Sequence, residues 1–419
     1  MRRVAARSLW LPLLLTFACS GPTSQAGTAL EPDTTGLRPT VILVSLDAFR
    51  ADYLDRGVTP NLSTLAAGGV RARALVPSFP SKTFPNHYTE VTGLYPGHHG
   101  IVANNMFDPA TGARFSLGDR SAVTDGSWWG GEPIWVTATR RGVPTAPYFW
   151  PGSEAAIQGV RPTYWVPFDA SVSRDERLGR LLGLLDLPPA RRPVFLTLYF
   201  SDADRAGHRW GPNSAQIDST LAELDASIGE LLDGLRARGL LDRVNLILTS
   251  DHGMSAVDTS RVIFLDDYLD LTTVDVVDWS PVLSLWPHAG EEDHAFAALA
   301  GAHPRLSVYR KADIPARFHY SGHRRVPPIL GVADPGWNIG THVFFDVNPS
   351  FYQGGNHGYD NLAPEMAGLF VASGPAFRQG LLAAPFQNVH VYPLVMQILG
   401  LRAAPGDGSL DSVRALLAP

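Results

Sequence analysis

Three long apolar runs, each followed by an acidic residue, dominate the pattern of hydrophobic and polar positions along the chain. They are Val41–Leu46 before Asp47, Val194–Phe200 before Asp202 and Asp204, and Val244–Thr249 before Asp251 and His252. Continuous Val, Ile and Leu runs of this length are typical of parallel strands covered on both faces. A single Asp after a strand is an ordinary turn residue. Because three core strands repeat the arrangement and open sheets bind ligands at this edge, we expect Asp47, Asp204, Asp251 and His252 to gather there; Asp202 is assigned no role.

Helical patterns separate these runs. Thr59 and Pro60 are typical of a helix start, and Gly68 and Gly69 of its end. From residue 214 to 238, apolar side chains recur at three- and four-residue steps and predict one long amphipathic helix. Alternating strands and helices predict an α/β fold with a mainly parallel central sheet and helices on both faces.

Two regions interrupt this alternation. Ala110–Phe168 is rich in Gly, Pro and aromatic residues, which predicts irregular backbone with most rings used for packing. From about residue 255 to 340 the pattern leaves the sheet. Pro281–Trp286, His294–Ala302 and Leu306–Tyr309 predict a small inserted β-α-β subdomain, after which the chain returns at Thr341–Phe345.

The segment SFPSKTFPNHYTEVTGLYPGHHGIVANNMFD, residues 78–108, places a threonine at a helix start. The pattern predicts a helix from Thr83 to Glu90 that stops at Gly93, with Pro85 in the first turn, where its missing N–H costs nothing. A hydroxyl at this position lies among unpaired N–H groups at the positive end of the helix dipole, which favours phosphate. Thr83 is therefore either a helix N-cap or a functional hydroxyl.

The first residues have the composition of an export signal. Three arginines precede an apolar stretch from Leu9 to Ala18, which is too short to span a bilayer as a mature helix. The four residues ending at Cys19 resemble a bacterial lipobox. Two outcomes stay open: a lipid-anchored chain that begins at Cys19, or ordinary cleavage near Ala26. We interpret residues 1–26 as the signal, residues 27–39 as a flexible tether and residues 40–419 as one large domain.

Charge and cysteine content narrow the chemistry. The net charge is −6 and no basic run exists, which argues against a protein that wraps nucleic acid. Cys19 is the only cysteine, so no disulfide stabilises the fold and no multi-thiolate zinc site is possible. We expect an exported protein, periplasmic or lipid-anchored to the cell envelope, without a transmembrane helix in the mature chain.

Three carboxylates and three imidazoles form a candidate metal set. Its members are Asp47, the pair Asp204 and His208 four residues apart, the neighbours Asp251 and His252, and His357 in GGNHGYDN. Nitrogen and oxygen donors in this mix suit zinc, with manganese or iron as alternatives. Thr83 adds a hydroxyl. This combination suits phosphoryl transfer, because two ions roughly 4 Å apart can hold the attacking and leaving oxygens in line.

Together, the segments LDAFRADYL, SFPSKTFPNHYTEVTGLYPGHHGI, DADRAGHRWGP, SDHGM and GNHGYDN resemble the nucleotide pyrophosphatase/phosphodiesterases of the alkaline phosphatase superfamily, and most closely their compact bacterial members. The resemblance extends from about Thr40 onward. It implies an alkaline phosphatase-like fold, two zinc ions and a covalent phosphothreonine intermediate. It also implies a nucleotide as the small-molecule substrate, with release of a nucleoside 5′-monophosphate.

The resemblance also implies a role for each site residue. Thr83 is the nucleophile, and Asn104 hydrogen-bonds a phosphate oxygen. One zinc ion is held by Asp204, His208 and His357, and the other by Asp47, Asp251 and His252 with Thr83 beside it. Phe84 stacks on the nucleobase. The second stacking ring, usually a Tyr eighteen residues beyond the Trp of FWPGS, is here Phe168, which keeps the ring face but lacks the hydroxyl.

Other functions fit the sequence less well. A lysophospholipid or phosphocholine phosphodiesterase is the alternative, because the same metal core serves both activities in the family. A phosphomonoesterase is disfavoured because no arginine clamp for a dianionic phosphate is evident, and a sulfatase because Thr83 and its neighbours do not match the sulfatase nucleophile motif. A lipoprotein that stores zinc is the non-enzymatic alternative.

Overall fold

A seven-stranded sheet runs through the centre of the computed structural model, which describes residues 36–419. The predicted signal, Cys19 and residues 27–35 of the predicted tether lie outside those residues. The strands of the described part are β1 (Val41–Leu46), β2 (Val70–Ala72), β3 (Leu75–Val76), β4 (Asn105–Asp108), β5 (Ala113–Ser116), β6 (Thr145–Pro147), β7 (Phe195–Phe200), β8 (Asn245–Thr249), β9 (Ser255–Val257), β10 (Val262–Phe264), β11 (Val274–Asp278), β12 (Val282–Pro287), β13 (Leu306–Arg310), β14 (Ile329–Ala333), β15 (Asn338–Gly340), β16 (Gly354–Asn356), β17 (Phe370–Ser373), β18 (Leu381–Ala383) and β19 (Phe386–Gln387).

Helices of very different length connect these strands. They are α1 (Pro60–Gly68), α2 (Thr83–Thr92), α3 (Pro96–His99), α4 (Arg120–Thr124), α5 (Ile134–Arg140), α6 (Arg174–Leu185), α7 (Asp202–Trp210), α8 (Ala215–Ala237), α9 (Glu292–Leu299), α10 (His342–Val347) and α11 (Val391–Ile398). No helix within residues 36–419 is long and apolar enough to cross a membrane.

The central sheet has the order β18-β2-β17-β8-β1-β7-β6, and only β17 runs antiparallel to its neighbours. The three apolar runs form β1, β7 and β8, side by side in the middle. Successive side chains of a strand point to opposite faces. In β1, Val41 and Leu43 therefore pack into one core and Ile42, Val44 and Leu46 into the other. This confirms the predicted α/β class and its mainly parallel sheet.

The predicted helix after residue 82 is confirmed as α2. Lys82 is its extended N-cap, and Gly93 ends it in the left-handed region at φ 66°. Thr83 is the first helical residue and not the N-cap. The loop before the helix is held by Asn86, whose side chain accepts from Ser78 N at 2.7 Å and donates to Lys82 O at 2.8 Å. Asn86 therefore ties the loop before Thr83 to the first turn of the helix.

The inserted region differs from its prediction. The three predicted segments appear as β12, α9 and β13, but β14 lies between the two strands and β11 adds a fourth, so the sheet is antiparallel. The expected return of the chain at Thr341–Phe345 is wrong, because these residues begin the short helix α10 and the chain rejoins the central sheet only at β17. Thr341 caps that helix by accepting from Phe344 N at 3.2 Å.

Candidate functional site

Six acids and histidines meet at the carboxyl edge of the central sheet. Asp47 follows β1, Asp251 and His252 follow β8, Asp204 and His208 lie on α7 after β7, and His357 follows β16. They form two groups of three, Asp204 with His208 and His357, and Asp47 with Asp251 and His252. Within each group, one candidate ligand atom of every residue lies within 4.8 Å of the others. The structure thus brings together every residue of the predicted metal set.

The hydrogen bonds of the three histidines determine which ring nitrogen faces the centre. Nδ1 of His252 lies 2.8 Å from Gly253 O, Nδ1 of His208 2.9 Å from Gly355 O, and Nδ1 of His357 2.9 Å from Ser81 O. A carbonyl oxygen only accepts, so each Nδ1 carries the proton. In the neutral ring, Nε2 then keeps a free lone pair. This arrangement is the usual one around metal-bound histidines.

Those Nε2 atoms face carboxylate oxygens. Nε2 of His252 is 3.0 Å from Asp251 Oδ2 and 3.4 Å from Asp47 Oδ1. Nε2 of His208 and of His357 lie 3.3 Å and 3.6 Å from Asp204 Oδ1. These three carboxylate oxygens are buried and have no hydrogen-bond partner of suitable geometry among the described residues. With neutral imidazoles, nitrogen and carboxylate lone pairs converge in one buried place, an arrangement that two metal ions would satisfy.

The pKa shifts of the carboxylates reflect the same crowding. Burial, together with Asp251 and Asp204, raises the pKa of Asp47 well above its usual range. Burial opposes ionisation of Asp251 too, but His252 and His87 outweigh it and hold the pKa of Asp251 well below its usual range. Asp47 therefore lies close to two other carboxylates, and a divalent cation would offset the repulsion among them.

Thr83 lies at the edge of the group formed by Asp47, Asp251 and His252. Its Oγ1 is 3.3 Å from His252 Nε2. Asn104 reaches the same turn, because its Oδ1 accepts from the Phe84 N–H at 3.0 Å. The structure thus places both predicted catalytic residues at the start of α2. Asp202, the first acid after β7, belongs to neither group of three and pairs with Arg205 at 3.2 Å.

A cavity of about 180 Å³ opens beside the threonine. Both predicted stacking rings, Phe84 and Phe168, line it, and Thr83, Asp47 and Asp204 form the end nearest the metal set. Phe84 packs edge-on against Phe115 at a centroid distance of 6.0 Å. Phe168 packs edge-on against Phe149 at 5.2 Å. The two rings and the candidate metal centre therefore belong to one continuous site.

Sequence reasoning missed four residues of this site. Arg120 and Glu154 line the cavity and pair with each other. Tyr199 lines it too and donates its hydroxyl proton to Asp47 Oδ2 at 2.6 Å. His87 lies behind Asp251, with Nδ1 2.9 Å from Thr83 O and 3.3 Å from Asp251 Oδ2. A signal existed for Tyr199, because a phenol in a buried strand needs a hydrogen-bond partner.

The chain matches one protein-family model and several known proteins. Residues 41–360 match the family model described as type I phosphodiesterase / nucleotide pyrophosphatase. A pyrophosphatase/phosphodiesterase of Schizosaccharomyces pombe is 41% identical over 407 residues, which cover 93% of this chain and 83% of the relative. Human ectonucleotide pyrophosphatase/phosphodiesterase family member 5 is 38% identical over 407 residues, covering 97% of this chain and 83% of the relative.

A solved structure resembles this chain at a comparable sequence identity. It is murine ectonucleotide pyrophosphatase/phosphodiesterase 5, as an inactive threonine-to-alanine variant in complex with AMP. The TM-score is 0.86 at 39% sequence identity, and the match covers 91% of this chain and 100% of the murine chain. These three similar proteins are eukaryotic, so the resemblance to compact bacterial members rests on the sequence motifs alone.

Proposed function

Because this chain belongs to the type I phosphodiesterase / nucleotide pyrophosphatase family, we propose that it hydrolyses phosphodiester or phosphoanhydride bonds of nucleotides and releases nucleoside 5′-monophosphates. The observation that carries the proposal is the continuity of the cavity lined by Phe84 and Phe168 with Thr83 and the six acids and histidines. A base between aromatic walls places the 5′-phosphate at the threonine. The AMP complex of the murine neighbour supports a nucleotide as the ligand.

The residues would hold two zinc ions, one at Asp204, His208 and His357 and the other at Asp47, Asp251 and His252. When bound, such ions lower the pKa of a neighbouring hydroxyl and neutralise charge that develops on phosphate oxygens. The chain's own contribution is rigid placement. Backbone carbonyls fix the three imidazoles, and the strand ends fix the carboxylates.

Thr83 acts as the nucleophile. Its Oγ1 loses its proton to solvent and forms a bond to phosphorus while the bond to the leaving oxygen breaks. The leaving group departs with the bonding electron pair, and a nucleotidyl-threonine remains. Water then attacks phosphorus from the side that the leaving group vacated, and the bond to Oγ1 breaks. Two in-line displacements give net retention at phosphorus. The threonine-to-alanine substitution in the inactive murine neighbour supports a threonine as the essential hydroxyl of this fold.

Asn104 stabilises the phosphate during both steps. Its amide oxygen is already used by the Phe84 N–H. The amide nitrogen is therefore the group that donates to a phosphate oxygen held at the start of α2. The positive end of the α2 helix dipole adds to the same attraction.

Two variants of the nucleophile and one stereochemical measurement test the proposal. Thr83→Ala should lose several orders of magnitude in kcat, because only binding and electrostatics remain. Thr83→Ser keeps a hydroxyl and should retain measurable activity. Hydrolysis of a chiral phosphorothioate diester in labelled water should proceed with retention. Inversion would mean that water attacks directly and that Thr83 is not the nucleophile.

A substrate panel tests the nucleotide against the lipid alternative. It contains ATP, a dinucleotide, p-nitrophenyl thymidine monophosphate and a lysophosphatidylcholine, each with metal analysis of the protein. We expect turnover of the nucleotides. Preferred turnover of the lysophospholipid would reassign the substrate on the same metal core, and no turnover of any diester by zinc-loaded protein would favour zinc storage.

We also infer that the chain is exported, as the names of its ectonucleotide relatives suggest. We further propose that residues 40–419 form the catalytic domain and that the segment from about 255 to 340 is an insertion in it. Periplasmic release after cleavage near Ala26 and lipid anchoring at Cys19 are the two forms of this proposal. Sequencing and lipid analysis of the mature N-terminus separate them, since an acylated Cys19 would bind membranes without a spanning helix. A mature chain that keeps Met1 would contradict export.

A further inference from the structure

Asp47 differs from Asp251 in how its second oxygen is held. Its Oδ2 accepts from the Tyr199 hydroxyl at 2.6 Å, whereas its Oδ1 faces His252 and has no hydrogen-bond partner among the described residues. Asp251 instead uses a backbone donor, Ala48 N at 3.3 Å. A hydroxyl donating to a carboxyl oxygen at this distance makes a short hydrogen bond.

The hydroxyl of Tyr199 is itself fixed in place. Tyr199 lies opposite Ser45 in the parallel ladder of β7 and β1, and the ladder continues to Asp47, whose N–H donates to Phe200 O at 2.9 Å. The phenol ring packs edge-on against His87 at 5.3 Å and against Phe168 at 6.0 Å. Adjacent strands and two neighbouring rings therefore define where the hydroxyl points.

We propose that Tyr199 is a positioning residue that turns Asp47 Oδ1 toward the metal ion shared with Asp251 and His252. This inference rests on the proposed metal-dependent function. With Oδ2 held, the carboxylate loses its freedom to rotate and presents the other oxygen to the ion. Without the hydroxyl, Oδ2 is a buried oxygen without a partner, and the carboxylate can turn away to find one. Partners of this kind typically contribute 10–100-fold to metal affinity or activity.

The test compares Tyr199→Phe with Tyr320→Phe. The first variant keeps the ring and its packing and removes only the hydroxyl. Tyr320 is a matched control, because it is a buried tyrosine whose hydroxyl also donates a hydrogen bond, to Val102 O at 3.0 Å, outside the site. Zinc affinity is measured on the full chain by competition with a chromophoric chelator. kcat and KM for p-nitrophenyl thymidine monophosphate are measured with and without excess zinc.

We expect Tyr199→Phe to bind one of two zinc ions roughly 10–100-fold more weakly, and excess zinc to restore most of kcat. Tyr320→Phe should bind zinc as the wild type does. If Tyr199→Phe keeps wild-type zinc affinity and only raises KM, Tyr199 contacts the substrate and the inference is wrong. If it loses activity that excess zinc cannot restore, its role is structural and the inference is also wrong. Wild-type protein that binds no zinc would instead overturn the proposed function itself.

Discussion

Removing the ring of Phe84 should weaken catalysis on nucleotides much more than on diesters without a base. Phe84 lines the cavity beside Thr83 and is only partly buried, with its ring against Phe115 and Trp129. Stacking on an aromatic side chain is worth roughly 1–3 kcal/mol per base. Since each 1.36 kcal/mol is a factor of ten in rate, Phe84→Ala should lower kcat/KM for a nucleotide by roughly 5- to 150-fold.

The assay uses two esters with the same leaving group. One is p-nitrophenyl thymidine monophosphate, and the other is methyl p-nitrophenyl phosphate, in which a methyl group replaces the nucleoside. Only the first can stack on Phe84, so only its kcat/KM should fall by the amount above. Trp165→Ala is the control for losing a large ring outside the cavity, because Trp165 is partly exposed and packs under Arg161.

The double variant with Phe168→Ala tests whether both rings hold the same base. If they do, the second truncation should add less than its single effect, because the base has already lost its fixed position. Equal losses on the two esters after Phe84→Ala would refute the stacking role. Phe84 would then act by holding the start of α2, where its N–H binds Asn104.

Two further predictions concern metal binding and pH. Asp204→Ala or His357→Ala should lower bound zinc by about one ion and remove activity, because a site of three protein ligands that loses one binds metal poorly. Two full equivalents of zinc in either variant, measured by elemental analysis, would contradict the assignment of these residues as zinc ligands. Burial raises the pKa of Glu90 to about 8. Between about pH 4.3, the pKa of an unfolded Glu, and about pH 8, the folded protein therefore holds a proton that the unfolded chain has released. The free energy of unfolding should accordingly fall as pH rises through this range. Glu90→Gln should flatten that slope by at most about 1.4 kcal/mol per pH unit in denaturant titrations; an unchanged slope would mean that Glu90 is ionised in the fold.

Local sequence determined the central strands and the start of the functional helix. Continuous apolar runs predicted β1, β7 and β8 because strands buried on both faces have no polar side to reveal. Gly93 predicted the end of α2 because its left-handed conformation strains any residue with a Cβ. The strand-end acids were visible for the same reason, since polar residues after a buried run must lie at the sheet edge.

Tertiary structure decided the inserted sheet. β14 inserts between β12 and β13, two strands that precede it in the chain, and β11 pairs with the far edge of β12. Their side chains alone do not specify such partners, because strand preference depends on the neighbours that a strand acquires. For this reason the region was predicted as a smaller β-α-β unit than the one that forms.

Tertiary structure also decided how the site residues act. The residue pattern placed the six acids and histidines near one edge, and the family resemblance implied their division into two groups of three. The physical cause of that division is how β1, β8, β16 and α7 approach one another. Which nitrogen of each histidine faces inward depends on backbone carbonyls such as Gly253 O and Gly355 O. The hydrogen bond from Tyr199 to Asp47 joins two residues that lie 152 positions apart in the chain. Hydrogen bonds of this kind act over about 3 Å, so only the folded chain determines which groups make them.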